Sequence, residues 1–339
     1  MHPLPSVHRQ VQLLTTPDGL PRPEDFALVE VPMPPRAPGE VLVRNRAFLV
    51  AAALLRTLIG AAAAGLPGPR PGDPLPGAAI GEVVAAPSSS GLRPGELVGH
   101  DLGWREYAVV PVDRCRRLED ALPDPLAHLS QGWTAYAALT RTAAVRTGDT
   151  VLITGAAGAV GSLAGQIARR LGAARVIGTA GSPAKARFLT TELGYDAVVV
   201  RGAEPITEQL TNAAPDGIDV ALDTVGGQQL QAAVQAARPH ARIVLIGALS
   251  AQLAAEGAGT TATLELDLVP IVLKRISLRG FNAADHPDAL VEWTQRFGDW
   301  LHSGSIRFPH TRIQGIDRAA HAFQEVVAGR HVGAVLVEL

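Results

Sequence analysis

The residues with the clearest chemical potential form one short run, Gly155-Ala-Ala-Gly-Ala-Val-Gly161, directly after Val151–Thr154 (VLIT). A glycine-rich turn between a strand and a helix suits a dinucleotide. Gly158 lets the backbone approach a pyrophosphate, and Gly161 lets the helix pack closely on the strand. The helix start offers unpaired N–H groups and partial positive charge. Ala156 stands where the strict motif has its first glycine. The next strand, Arg175–Thr179, lacks at its end the Asp or Glu that holds the ribose hydroxyls of NAD. It runs instead through Ala180 and Gly181 to Ser182, Pro183 and Lys185. Ser182 suits an N-cap and Pro183 the first helical position. Lys185 then lies in the first turn, where a cation meets the wrong end of the helix dipole, and a bound anion reverses that penalty. Arg201, after the third strand, supplies a second cation. Together they point to a 2′-phosphate, and so to NADPH. The alternative is that Lys185 and Arg201 are solvated surface charges.

Other candidate groups carry less. The ten histidines are scattered with no His-Glu-x-x-His, and Cys115 is the only cysteine, so no metal site is expected. No Gly-x-Ser-x-Gly elbow is present for a serine hydrolase. His100-Asp101 reads as an acid–base pair or, more simply, as a structural pair beside Gly103-Trp104. Cys115 lies between arginines that would lower its pKa, or is an ordinary loop thiol. Trp133 and Tyr136 at helix spacing read as packing residues. Ser250 is a candidate proton relay.

The elements needed to position these groups follow from the pattern of the chain. From about Thr150, short apolar strands alternate with helices: Val151–Thr154, Arg175–Thr179, Ala197–Val200, Asp219–Asp223, Arg242–Gly247 and Ile276–Gly280. The first helix spans Gly161–Leu171. That rhythm predicts an α/β Rossmann fold, a doubly wound parallel sheet. The first 125 or so residues are proline-rich, with strand candidates Glu40–Arg44 and Ala79–Ala85 between turns. They predict a β-rich, barrel-like catalytic domain. The boundaries expected are 1–126 for the first part of that domain, 127–303 for the Rossmann domain and 304–339 for a return to the first. The alanine-rich stretch Ala47–Leu66, interrupted by Arg56, reads as one or two helices near a pocket and not as a membrane span. The chain has 339 residues, 18% of them charged, and a net charge of −2. This excludes a disordered chain and argues against general affinity for nucleic acid or acidic membranes. No secretory signal is visible, so a cytoplasmic location is expected.

Several separate motifs carry a family resemblance: Gly132-Trp-Thr-Ala-Tyr136, ITGAAGAVGSLAGQIAR (153–169), GTAGSPAK (178–185), GIDVALDTVGG (217–227), IGALS (246–250), KRISLRGF (274–281) and DFALVEVPMPPRAPGEVLVRN (25–45). With these the chain resembles the zinc-independent medium-chain dehydrogenase/reductases, in the quinone-oxidoreductase-like branch of prostaglandin/leukotriene reductases and alkenal double-bond reductases. The resemblance implies a GroES-like catalytic domain beside the Rossmann domain. It implies hydride transfer from NADPH to the β-carbon of an α,β-unsaturated carbonyl, and a homodimer formed across the last Rossmann strand. Ala159, Val160, Gly161 and Ser162 would lie at the pyrophosphate, and Lys185, after Ser182, at the 2′-phosphate. Arg201 takes a usual tyrosine position, Thr224 a usual asparagine position, and His331 another asparagine position near the phosphates. Thr134 would sit beside the nicotinamide ribose, with Gly247, Ala248, Leu249, Ser250, Phe281, Asn282 and Ala283 lining the nicotinamide. Two pocket tyrosines of the family are replaced, by Gln252 and Leu54. A glutamine amide cannot protonate an enolate as a phenol can, so water or a ribose hydroxyl becomes the proton source. The more apolar wall suggests a bulky hydrophobic substrate, and the partner the resemblance implies is a small hydrophobic unsaturated carbonyl. A quinone reductase and a redox-silent NADPH-binding member doing a non-redox reaction remain as alternatives.

Overall fold

The computed structural model describes residues 4–17, 19–55, 57–58, 68–118, 121–254 and 261–339. At the N-terminus β1 (Val7–Leu13) and β2 (Phe26–Pro32) pair as an antiparallel ribbon. The strands β3 (Glu40–Val50), β4 (Ala79–Ala85), β5 (Leu97–His100), β6 (Tyr107–Pro111) and β7 (Arg116–Arg117) form a second, mostly antiparallel sheet. The stretch expected to be helical from Ala47 therefore begins differently. Ala47–Val50 is the end of β3, with Ala47 and Phe48 paired to β4. A short apolar run fits a strand and a helix equally well until its pairing is known. Leu54 and Leu55 are helical, while Arg56 and residues 59–67 lie outside the described residues.

After α1 (Gly132–Ala137) comes the expected alternation. It runs β8 (Thr150–Ile153), α2 (Gly161–Arg170), β9 (Arg175–Ala180), α3 (Pro183–Glu192), β10 (Ala197–Val200), α4 (Ile206–Ala213), β11 (Ile218–Asp223), α5 (Gly227–Ala236) and β12 (Ala237–Leu245). The short α6 (Leu249–Gln252), α7 (Leu268–Lys274), β13 (Ser277–Gly280) and α8 (Pro287–His302) follow. The six strands are parallel in the order β10-β9-β8-β11-β12-β13, which is the strand order of a doubly wound dinucleotide fold. β8 is wholly buried, as a strand covered by helices on both faces must be. β12 starts before the Arg242 expected from the sequence: Ala237 pairs with Ile218, and the register then shifts before Arg242. His240, at φ +66°, takes up that irregularity.

The chain then returns to the N-terminal sheet. β14 (His310–Gln314), α9 (Ala319–Val327) and β15 (Ala334–Glu338) complete the fold. β15 pairs parallel with β14 and antiparallel with β3. The core of this part joins Leu13, Phe48, Trp104 and Phe323, with the Phe48 and Trp104 rings 5.2 Å apart. On one face of the parallel sheet α1, α2 and α8 bury Tyr136, Leu163, Trp293 and Phe297. This confirms packing for Tyr136, whose ring lies 5.8 Å from Trp293. Among the described residues no helix is long and apolar enough to cross a membrane.

Candidate cofactor and active site

The glycine turn opens where sequence placed it, at the carboxyl end of β8. Gly155 has φ +59°, a left-handed conformation that favours glycine. A Cβ on Gly161 would lie 2.4 Å from the Gly155 carbonyl oxygen, so only glycine lets α2 start this close to the turn. One helical turn on, a Cβ on Gly165 would strike Tyr195 at 2.2 Å, and the Tyr195 hydroxyl donates to the Gly161 carbonyl at 2.6 Å. Gly158, by contrast, meets only the Gly155 oxygen, at 3.2 Å. Ser162 Oγ, in the first turn of α2, is the one buried side-chain polar atom without a hydrogen-bond partner among the described residues.

A buried polar network, missed in the sequence, fixes this turn. The Thr154 hydroxyl donates to Asp223 at 2.6 Å and accepts from Thr224 N–H at 2.9 Å. Asp223 also accepts from the N–H groups of Val225 and Gly226. Burial pushes its carboxyl above the ordinary range, against those hydrogen bonds. Thr179 accepts from Gly155 N–H at 2.9 Å and donates to Gln229. Thr224 sits beside the glycine turn with its hydroxyl already donated to the Thr154 carbonyl. The legible signal was the lone acid closing the otherwise apolar end of β11.

The second cluster is cationic. Ser182 accepts from Lys185 N–H at 3.4 Å, the expected N-cap. Lys185 Nζ donates to the Gly329 carbonyl at 2.5 Å. Burial and the charge of Arg201 push its ammonium below the ordinary range. Arg201 reaches back to the end of β9: a Cβ on Gly181 would lie 3.5 Å from its guanidinium. Neither cation has a carboxylate partner among the described residues. Gly333 N–H donates to the Ala157 carbonyl at 2.9 Å, and Gly333 bridges Gly158. The segment 329–333, leading into β15, thus closes over both the glycine turn and Lys185, with His331 between its two anchor points. A turn whose glycines leave room for a ligand, an orphaned hydroxyl at its helix start and two cations lacking an acid fit a dinucleotide carrying a 2′-phosphate.

Five of the remaining predicted residues line two cavities. Gly247, Ala248, Ser250 and Gln252 line one of about 710 Å³ at the carboxyl ends of β11 and β12. Thr134 lines the other, a cleft of about 480 Å³ between the two sheets, walled by Leu49, Ala78, Trp133 and Trp293. Phe281 stacks on His286 at 5.4 Å, Trp133 donates to the His286 carbonyl at 3.4 Å, and Asn282 caps the turn starting at Ala283. These contacts tie the end of β13 to α1. The Ser250 hydroxyl donates to the Val225 carbonyl at 2.7 Å. Leu54 is 7% exposed within the β3 core, against which Leu249 and Leu253 also pack.

His100 and Asp101 border the cleft but are structural. Leu102 N–H donates to His100 Nδ1 at 3.1 Å, which leaves Nε2 to donate to Asn45 at 2.9 Å, and Asp101 pairs with Arg114. Burial, with a minor push from Arg105 and against Asp101, lowers the His100 imidazole to about 4. The unfolded chain therefore protonates first. Stability is full above about pH 6.5 and falls as pH drops towards 4, by about 1.4 kcal/mol for each pH step and about 3 kcal/mol in all. Urea unfolding from pH 7 to 4 should show this slope flattened in His100→Gln; an equal slope in both proteins rejects it. Burial pushes the Cys115 thiol up to about 11, opposite to an activated thiolate.

Residues 159–297 match the family model described as "Zinc-binding dehydrogenase", and residues 9–118 that described as "N-terminal domain of oxidoreductase". A putative NADP-dependent oxidoreductase, YfmJ, of Bacillus subtilis (strain 168) is 32% identical, over 98% of this chain and 97% of its own. The NADPH-dependent curcumin reductase of Escherichia coli (strain K12) is 29% identical, over 98% of this chain and 97% of its own. The crystal structure of CurA from Vibrio vulnificus in complex with NADPH superposes with a TM-score of 0.87 at 28% identity, covering 97% of this chain and 98% of that one. The chain belongs to the medium-chain dehydrogenase/reductase superfamily, in its quinone-oxidoreductase-like branch of NADP-dependent oxidoreductases. Among the described residues no group of three or more His, Cys, Asp or Glu side chains is arranged to hold a metal ion.

Proposed function

We propose that this chain uses NADPH to reduce a carbon–carbon double bond conjugated to a carbonyl, in a small and largely apolar substrate. The observation that carries the cofactor half is the pair of cations without an acid, Lys185 and Arg201, beside the glycine turn. The substrate half is supported by the cleft between the sheets and by the similarity to a curcumin reductase. The units would divide at 126/127 and 303/304, with the substrate held between them.

Bound NADPH supplies a hydride, which is received by the substrate's β-carbon. The chain's own residues do the rest. Trp133, Trp293, Leu49 and Ala78 give the cleft apolar walls, which hold the double bond and exclude water. Ser130 and Thr134 also line it; their hydroxyls would donate to the carbonyl oxygen where enolate charge develops. Gln252 lines the other cavity and its amide cannot protonate an enolate, so the proton on the α-carbon would come from water or a ribose hydroxyl. Purified protein with NADPH should consume enones and 2-alkenals faster than quinones, with saturated ketone or aldehyde as product. NADPH oxidation only with quinones, or with neither class, overturns this reading.

The chain would act as a homodimer. β13 is an edge strand, and the adjacent α7 presents Leu268, Val269, Val272 and Leu273 to solvent, each at least 61% exposed. An unpaired edge beside an apolar helix face suits a second copy. Sedimentation should give a dimer for the native chain and a monomer for Leu273→Glu; a monomeric native chain refutes it. A cytoplasmic location accords with NADPH as reductant.

A further inference from the structure

The basic groups around the phosphate cradle are not held alike. Lys185 and Arg201 face no acid, whereas two basic groups of the closing segment and His321 of α9 converge on a single carboxylate. Glu325, on α9, meets His331 Nε2 at 3.0 Å, His321 Nε2 at 3.5 Å and Arg330 at 3.6 Å. Burial opposes ionisation of Glu325, but the His331 hydrogen bond, with the charges of His331, His321 and Arg330, keeps its carboxyl below the ordinary range. The backbone on either side of His331 is pinned, at Gly329 by Lys185 and at Gly333 by Ala157. Only the ring remains to be oriented, and its side chain is 18% exposed. Glu325 makes none of these contacts to the glycine turn itself.

We propose that Glu325 is a positioning residue for NADPH: it holds the His331 ring by Nε2 and so turns Nδ1 towards a cofactor phosphate. This rests on the reading that residues 329–333 border the bound cofactor. A ring with an acceptor on each nitrogen is oriented by both, the carboxylate on one side and the phosphate on the other.

The test is NADPH titration of the full chain by fluorescence, with steady-state kinetics in NADPH. Glu325→Gln should weaken NADPH about tenfold, the size of one charged hydrogen bond, and raise KM for NADPH more than it alters kcat. Glu325→Asp should restore part of the affinity. In a His331→Ala background Glu325→Gln should do almost nothing further. Native affinity in Glu325→Gln, or a loss that adds in full to that of His331→Ala, overturns the proposal. If His331→Ala and Lys185→Ala both bind NADPH as the native chain does, it is the placement of the cofactor that has failed. Thermal unfolding of each variant separates loss of binding from loss of fold.

Discussion

Lys185→Ala should raise the Kd for NADPH by about 10- to 100-fold, the equivalent of one charge-assisted hydrogen bond to a phosphate, and leave the Kd for NADH within about twofold. The asymmetry follows from geometry. Lys185 lies past the end of β9, where an NAD-selective site carries an acid for the ribose hydroxyls, and here the chain offers Ala180, Gly181 and Ser182. Its Nζ now spends a hydrogen bond on the Gly329 carbonyl and suffers both burial and the repulsion of Arg201. A 2′-phosphate offsets both the burial and the repulsion, while NADH offsets neither. Arg201→Ala should act in the same direction with a smaller effect, because that guanidinium is exposed and screened by solvent. Equal weakening of both nucleotides by Lys185→Ala would place the residue at a phosphate they share and remove the structural basis for NADPH preference.

How far the sequence reveals this site depends on the range of the interactions. The glycine turn is local: its backbone needs are met by neighbours in the chain, so Gly155, Gly158 and Gly161 announce it. Likewise Ala79–Ala85, Ala197–Val200 and Ala334–Glu338 are strands with the bounds their apolar runs suggest. β1 escapes notice because its buried face includes His8 and Gln10, which read as polar. β14, HTRIQ, is nowhere fully buried. Residue pattern alone does not reveal the closing segment, where only the family likeness nominates His331, because Gly333 meets Gly158 only after the chain has returned from the parallel sheet to the first one. That Thr134 lines one cavity while Gly247, Ala248 and Ser250 line another is likewise tertiary. Family likeness could nominate Gln252 and Leu54 as pocket positions, but only packing shows that Leu54 is enclosed.

Asp223→Ala should cost about 3 kcal/mol of stability and weaken NADPH in the same variant. The carboxylate has no solvent exposure and takes hydrogen bonds from the Thr154 hydroxyl and the Val225 and Gly226 N–H groups. Alanine leaves these donors buried without an acceptor, at about 1–3 kcal/mol for each unsatisfied group. Part of that loss is returned, since the native fold no longer has to desolvate a charge. The consequence for binding comes through Thr154, whose hydroxyl links β8 to Thr224 at the mouth of the glycine turn. Without Asp223 the ends of β8 and β11 lose their cross-link where the cofactor must lie. Asp223→Asn separates the contributions. Its carbonyl oxygen can still accept from Gly226, but its amide hydrogens face donors, so it should lose about half as much stability as alanine. Urea unfolding with parallel NADPH titration reads both quantities. A stable Asp223→Ala protein with native affinity would show that the network is incidental, and that Gly155 and Gly161 alone hold the turn in shape.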